Sequence, residues 1–386
     1  MARWRGWPVG LHAAALLLLV GVVAWRFWPQ LTDPLPRIDE SFYLGAIDRV
    51  AEGRSPFGQE GYFYPSAMAY AGAGVAAVAQ SLGLPGEGTV SALLRLANLL
   101  GSATILWFSV AWAPGSWGRR LLLAAALACL LPGVRLAMLT GNLSLAVVPA
   151  ILVGLWIWRR HPVTAGILLG ASAAVKPLAP AAVLALGVHR PTTPGVGWRH
   201  RLAAAVAIAL AATAILGFPH LGELLHLAQD QVLNTRTFSV HRVLLALGLA
   251  VPKLAVQLAV ALGVVVIARR RPMGPTRFLI FGVVAVTLAA PMLWNHTLLV
   301  TLPIQVMAVR LAWRRWGRHA YGLFGEGRMR FYGLVLVTLA VAAIQFCDGV
   351  DGVTTQGRWL QILGFGVPTF APAALGLFVV SYTDDI

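Results

Sequence analysis

The sequence predicts an all-α polytopic membrane bundle of about 11–13 transmembrane helices. Three observations predict it. Apolar residues make up 58% of the chain and charged residues 11%, with a mean hydropathy of +0.75; a soluble domain carries roughly 25% charged residues. Long apolar runs recur along the whole length. The basic residues sit in short clusters between those runs: Arg3/Arg5, Arg119/Arg120, Arg159/Arg160, Arg190/Arg199/Arg201, Arg269–Arg271 with Arg277, and Arg310/Arg314/Arg315/Arg318. Such clusters mark cytoplasmic turns. The net charge of +16 therefore reads as topology and not as a nucleic-acid-binding stripe. Cys129 and Cys347 lie far apart and support neither a disulfide framework nor a metal site.

The elements follow in order. The run Val9–Trp28 is too long for a signal-peptide core, and Arg26, Trp28 and Pro29 follow where cleavage needs small residues, so it reads as a retained first helix. With an inside N-terminus, the segment 29–88 is the first outer loop. If 65–82 then crossed, Arg119/Arg120 would fall outside. That stretch, PSAMAYAGAGVAAVAQSL, is only weakly apolar and reads as a re-entrant helix buried by protein on the outer side. Further spans are expected at about 89–112, 121–138, 142–158, 162–175, 178–189, 200–217, 241–268, 277–292, 297–313, 330–346 and 359–380. The outer face then receives 29–88, 139–142, 176–177, 218–240, 292–296 and 347–358. The chain reads as a single membrane domain, 1–386, with a core bundle at 89–313 and C-terminal helices at 314–386.

Six of the fourteen acidic residues lie in 29–64. Asp39 precedes the amphipathic stretch Phe42, Tyr43, Ala46, Ile47, Val50, which suits a helix lying in the interface plane. The bland role for Asp39 is a helix cap; the sharper one is a general base at the bilayer surface. Asp33, Glu40, Asp48, Glu52 and Glu60 read as solvated surface, with Glu40 the next to test. Lys176 is one of only two lysines, and Pro177 follows it. It reads either as a snorkelling helix-end cation or as a point charge for a phosphate. His296, in Trp294-Asn295-His296 at the mouth of a span, reads as structural or as a phosphate or acid/base partner. Asn142 and Ser144 open a span from the outer side, where Asn142 or Thr140 suits an N-cap and the same groups suit a sugar or phosphate. His241 and Arg242 open the span after the 218–240 loop, and Arg242 could fork onto a phosphate or anchor a headgroup.

There is no Gly-rich phosphate loop, H-E-x-x-H or G-x-S-x-G. Asp39 and Glu40 point to different faces of a helix, and a divalent metal wants more than one carboxylate. No metal or cofactor is expected.

The order of motifs resembles the polyprenyl-phosphate-sugar-dependent membrane glycosyltransferases of the GT-C superfamily, specifically glycosyltransferase family 87. The matching pieces are Asp39-x-x-Phe42-Tyr43, Gly53-Arg-Ser-Pro56-Phe57, Tyr62-Phe-Tyr64-Pro65, Gly141-Asn142-Leu-Ser144, Gly166 through Lys176-Pro177, and Pro291 through Trp294-Asn-His296. Asn142, Ser144, Ser66 and Thr297 stand where the family has Gln, Asn, a second Pro and a second His. The resemblance implies a GT-C bundle with juxtamembrane helices in the first outer loop. It implies transfer of mannose or a similar sugar from a polyprenyl-phosphate donor in the membrane lipid to a glycolipid or polysaccharide acceptor. Asp39 would be the base of an inverting displacement on the extracytoplasmic face of the inner (plasma) membrane. Lys176, His296 and Arg242 would hold the donor phosphate, and Tyr43, Glu40, Tyr64, Asn142, Ser144, Trp294 and His241 would line the substrate. Two other readings stand beside it: a transporter or flippase using Lys176 as a counter-charge in a broken helix pair, and a non-catalytic scaffold.

Overall fold

The computed structural model describes residues 9–58, 62, 64–176, 178–192, 195–230, 239–290, 297–316, 327–346 and 358–381. Every regular element among them is helical. The first part of the chain gives α1 (Val9–Arg26), α2 (Trp28–Thr32), α3 (Ile38–Ala51), a 3-10 turn at Pro56–Gly58 and α4 (Ser66–Ser81). The central part gives α5 (Gly86–Val110), α6 (Trp117–Leu130), α7 (Pro132–Thr140), α8 (Ser144–Ile157), α9 (Pro162–Val175), α10 (Pro180–Val188) and α11 (Gly197–Leu216). Then come α12 (Leu221–Asp230), α13 (Val240–Ala246), α14 (Lys253–Arg270), α15 (Pro275–Ala289), a 3-10 turn at Thr297–Thr301 leading into α16 (Leu302–Trp316), α17 (Gly327–Phe346) and α18 (Arg358–Ser381). Helices α7, α9, α10 and α15 each carry Pro in the first turn, where its missing N–H is one of the groups a helix start leaves unpaired anyway.

Among the described residues two helices, α5 and α11, are individually long and apolar enough to cross a membrane, and the bent pair α6–α7 makes a third if counted as one span. Several shorter apolar helices accompany them, α1, α8, α9 and α15 among them. Leu17, Leu122 and Leu377 are each more than 70% exposed, and apolar surface on this scale marks a face made for lipid or another partner. Helix α4 is not among the apolar helices. It packs on α3 and α5 through Ala73 and Ala76 against Leu44, Ile47 and Val90.

Two expected spans are broken. The span expected at 121–138 bends by 56° between α6 and α7, because Pro132 cannot continue the hydrogen-bond ladder of α6. The span expected at 241–268 is α13 and α14, separated by Gly248 at φ 82° and by Pro252 at the start of α14.

Sequence also explains the tightest helix pair. Gly166 and Gly170 lie one turn apart on α9 and face Ala203 and Ala207 of α11. A Cβ at Gly166 would sit 2.6 Å from the Ala203 carbonyl oxygen, and one at Gly170 would sit 2.9 Å from that of Ala207. Small residues four apart let two backbones approach where no hydrophobic force drives helices together. Gly166→Leu is expected to cost at least the ~1–3 kcal/mol of an overpacked core, read as a lower unfolding temperature of the purified protein in detergent. An unchanged temperature would mean the seam tolerates a side chain.

The packing sorts the connections by charge. At one end Ser66 Oγ donates to the Pro219 carbonyl at 3.0 Å and Ser55 Oγ donates to Glu223 Oε2 at 2.5 Å, joining the first loop to the α11–α12 region. At the far ends of α9 and α10, Arg199 Nη1 donates to the Arg159 carbonyl and Arg190 N to the Ala268 carbonyl. Segments assigned to one face by charge parity thus meet each other in space.

Candidate functional site

Helix α3 starts at Ile38, so Asp39 is in its first turn, but Asp39 is not its cap. The capping is done by Glu40, whose Oε2 accepts from Arg37 N at 3.4 Å and Arg37 Nε at 2.8 Å. Asp39 is left half-buried, its carboxylate turned toward the α7–α8 junction. Tyr43, Ala46 and Ile47 form the buried stripe of α3 together with Leu44.

At that junction Gly141 ends α7 at φ 77°, a conformation that suits glycine. A Cβ there would also press on Glu40 Cβ at 3.1 Å. The turn delivers Asn142 to Asp39. Asn142 Nδ2 donates to Asp39 Oδ2 at 2.8 Å. Its Oδ1 accepts from Ser144 N at 2.9 Å, Ser144 Oγ at 2.8 Å and Lys176 Nζ at 3.2 Å. A lysine ammonium and a backbone N–H only donate, and an ionised carboxylate only accepts, so the amide can face only one way.

Lys176 reaches this point because Pro177 follows it. The residue before a proline is pushed out of the helical region, and Lys176 is extended at φ −146°, ψ 128° directly after α9. Its side chain turns inward and is 7% exposed. Nζ donates to Ser144 Oγ at 2.7 Å and lies 5.8 Å from the Tyr64 ring centroid. Asp39 and Lys176 form no direct ion pair; Asn142 stands between them.

An aromatic wall closes one side. Tyr43 and Tyr64 meet edge to face with ring centroids 5.1 Å apart and a hydroxyl–hydroxyl hydrogen bond of 3.1 Å. Tyr62 stands behind Tyr64 and Phe57 beside Tyr62. Burial, then the neighbouring Tyr64 and Asp39, push the Tyr43 phenol well above its ordinary value, and burial pushes Tyr64 up to about 12. Both phenols therefore stay protonated at neutral pH and serve as hydrogen-bond donors. Thr297, at the start of the 3-10 turn before α16, adds a hydroxyl 3.5 Å from Ser144 Oγ.

Glu40 requires a correction. It is not solvated surface and does not face the Asp39 side: its side chain is fully buried between α3, α5 and α7. Ser91 Oγ and Arg95 Nε donate to its Oε1, and Arg37 Nε to its Oε2. Burial pushes this carboxyl up, and the bonds from Ser91 and Arg37 with the Arg37 and Arg95 guanidiniums outweigh it, leaving it below its ordinary value. Arg95 also donates to the Leu31, Asp33 and Leu35 carbonyls, and Arg37 to that of Met138. This clamp fastens α3 to α5 and α7. Sequence reasoning missed Arg95, although a lone Arg inside an apolar run is a signal for a buried partner.

Asp33, Asp48 and Glu52 are exposed as expected. Glu60, Trp294 and His296 lie outside the described residues. His241 is half-buried on α13, and Arg242 is buried with its backbone N–H capped by Ser239 Oγ at 3.2 Å. Neither joins the Asp39–Asn142–Lys176 chain through a hydrogen bond among the described residues. No family model, curated protein or solved structure matches the chain. Among the described residues no three His, Cys, Asp or Glu side chains converge as a metal site. The site is thus one half-buried carboxylate, one buried ammonium, an amide spacer, hydroxyls and aromatic rings.

Proposed function

We propose that the chain is an integral membrane glycosyltransferase acting on a polyprenyl-phosphate sugar, with Asp39 as general base on the extracytoplasmic side. The observation that carries this reading is the Asn142 bridge, which holds a carboxylate and an ammonium on opposite sides of one amide. A direct ion pair would quench both groups. Separated, each is available to a different part of one reaction.

In that reaction an acceptor hydroxyl loses its proton to Asp39 as its oxygen bonds to the anomeric carbon. The bond from that carbon to the phosphate oxygen breaks, with inversion, and polyprenyl phosphate leaves with an added negative charge. Lys176 donates to two oxygens, Asn142 Oδ1 and Ser144 Oγ; an ammonium has three N–H groups, and the third serves the leaving phosphate. A preformed cation helps most where charge grows in the transition state. Tyr64, whose hydroxyl accepts from Tyr43, keeps its own O–H and its ring face for a sugar, with Tyr43 holding it in place. Arg242 and His296 are proposed as further phosphate ligands, and Trp294 and His241 as substrate contacts. The membrane location and the GT-C type of the bundle belong to the same proposal.

Lys176→Gln tests the division of labour. Removing a charge-assisted hydrogen bond of about 1.5–3 kcal/mol predicts a loss of roughly 10–100-fold in kcat/KM for the donor. Stability should hold, since a neutral amide has less desolvation to overcome than a buried ammonium. Membranes carrying the variant, supplied with a radiolabelled donor, give the rate; an unchanged rate removes Lys176 from the phosphate site.

A further inference from the structure

A cavity of about 460 Å³ lies at the far end of α9 and α10 from Lys176. It is lined by Gly187, Val188, His189, Arg190, His200, Arg201 and Arg269. At roughly 1.5 Å per residue, the 14 residues of α9 put it about 20 Å from the Asp39 site. It is therefore not part of that site.

The chain builds this cavity from three connections. Residues leaving α10 pair with the α14–α15 turn: Arg190 N donates to the Ala268 carbonyl at 3.3 Å and Met273 N to the Arg190 carbonyl at 3.2 Å. His189 is held in an aromatic cage, its ring 4.4 Å from Phe278, 5.6 Å from Trp158 and 5.8 Å from His200 between centroids. His189 is 2% exposed and His200 3%. Among the described residues the Nδ1 of His200 has no hydrogen-bond partner, and His189 has none beyond the Met273 backbone. Buried polar atoms are ordinarily satisfied, so these atoms at a cavity wall ask for a ligand.

The surrounding charge says which ligand. Arg190, Arg201 and Arg269 are exposed at the mouth. No Asp or Glu occurs anywhere between Glu87 and Glu223, or between Asp230 and Glu326. The elements that form the cavity thus contain no carboxylate to neutralise the arginines. Guanidinium groups match phosphate oxygens bidentately, and imidazole N–H groups add a neutral donor in the floor.

We infer that this cavity binds a phosphate group, with His189 and His200 donating from its floor and Arg190, Arg201 and Arg269 closing over it. The phosphate belongs to a net-anionic membrane lipid headgroup or to a free phosphate; both bring uncompensated negative charge to the arginines. The inference does not depend on the transferase reading and stands if that reading fails.

The test uses the full-length protein purified in detergent. Native mass spectrometry records retention of phosphatidylglycerol against phosphatidylcholine, and calorimetric titration records binding of inorganic phosphate. Wild type is expected to retain phosphatidylglycerol selectively, to bind inorganic phosphate, or both. Displacement of the lipid by phosphate would show that the two share the cavity; retention without any phosphate binding would assign it to the headgroup. In R190Q/R201Q/R269Q, whose changes are all at exposed positions, binding should weaken by on the order of tenfold per arginine removed. His189→Phe keeps the ring in its cage and removes both nitrogens, and it should weaken binding without changing the unfolding temperature. Equal retention of both lipids with no phosphate binding overturns the inference. So does anion binding that is the same in wild type and the triple variant.

Discussion

Asp39→Asn is expected to abolish sugar transfer, lowering the rate by the 10²–10⁴-fold that a positioned general base supplies, while the protein remains folded. The substitution is nearly isosteric. Its amide can still accept through Oδ1 from Asn142 Nδ2, the bond observed at 2.8 Å, so the bridge to Lys176 survives. Asp39 is also not the cap of α3, since Glu40 performs that role. A loss of activity therefore reports on proton transfer and not on the helix. Donor binding should persist, because the groups assigned to the phosphate are untouched. Rates from membranes with a radiolabelled donor, set beside unfolding temperatures, separate the two. An active variant removes Asp39 from the mechanism.

Glu40→Ala, one residue away, is expected to do the reverse and loosen α3 from α5 and α7. It strips the shared carboxylate from Arg37 and Arg95, whose side chains are only 6% and 11% exposed. Removing one member of a buried charge cluster costs about 3–5 kcal/mol, because the others stay buried and unpaired. Asp48→Asn, at an exposed position, is the matched control and should stay within about 0.5 kcal/mol. The pH dependence has a definite sign. The Glu40 carboxyl is held below its ordinary value. Its contribution is therefore complete above the unfolded value near 4.5 and is lost as pH falls through the lower folded value. Wild type should lose stability in that acid range more steeply than Glu40→Gln. Parallel acid-unfolding curves would show that Glu40 is not the linked group.

Much of the site can be read from the sequence because its residues break local expectations. One of only two lysines in an arginine-rich chain, fixed by a following proline, marks Lys176. An acid ahead of an amphipathic stripe marks Asp39. The helical character follows from composition and periodicity. Glu40 was less legible: adjacency to Asp39 shows that the two face apart, but not that α5 covers the second face. That cover comes from Arg95, 55 positions away. The breaks at Pro132 and around Gly248–Pro252 were also hidden inside runs whose hydropathy is continuous. Apolar composition does not record whether the hydrogen-bond ladder is intact. The cavity at His189 and His200 escaped because its histidines are spaced by a whole connection and only the fold brings their rings together.

The carboxylate–amide–ammonium chain is proposed to transfer a sugar from a lipid-linked donor. The most direct measurement supplies membranes containing the protein with a panel of radiolabelled polyprenyl-phosphate mannose, arabinose and glucose. Wild type is expected to move label from at least one donor to a new acceptor, with inverted anomeric configuration, and Asp39→Asn to move none. Failure of wild type to transfer from any donor, or equal transfer by the variant, contradicts it.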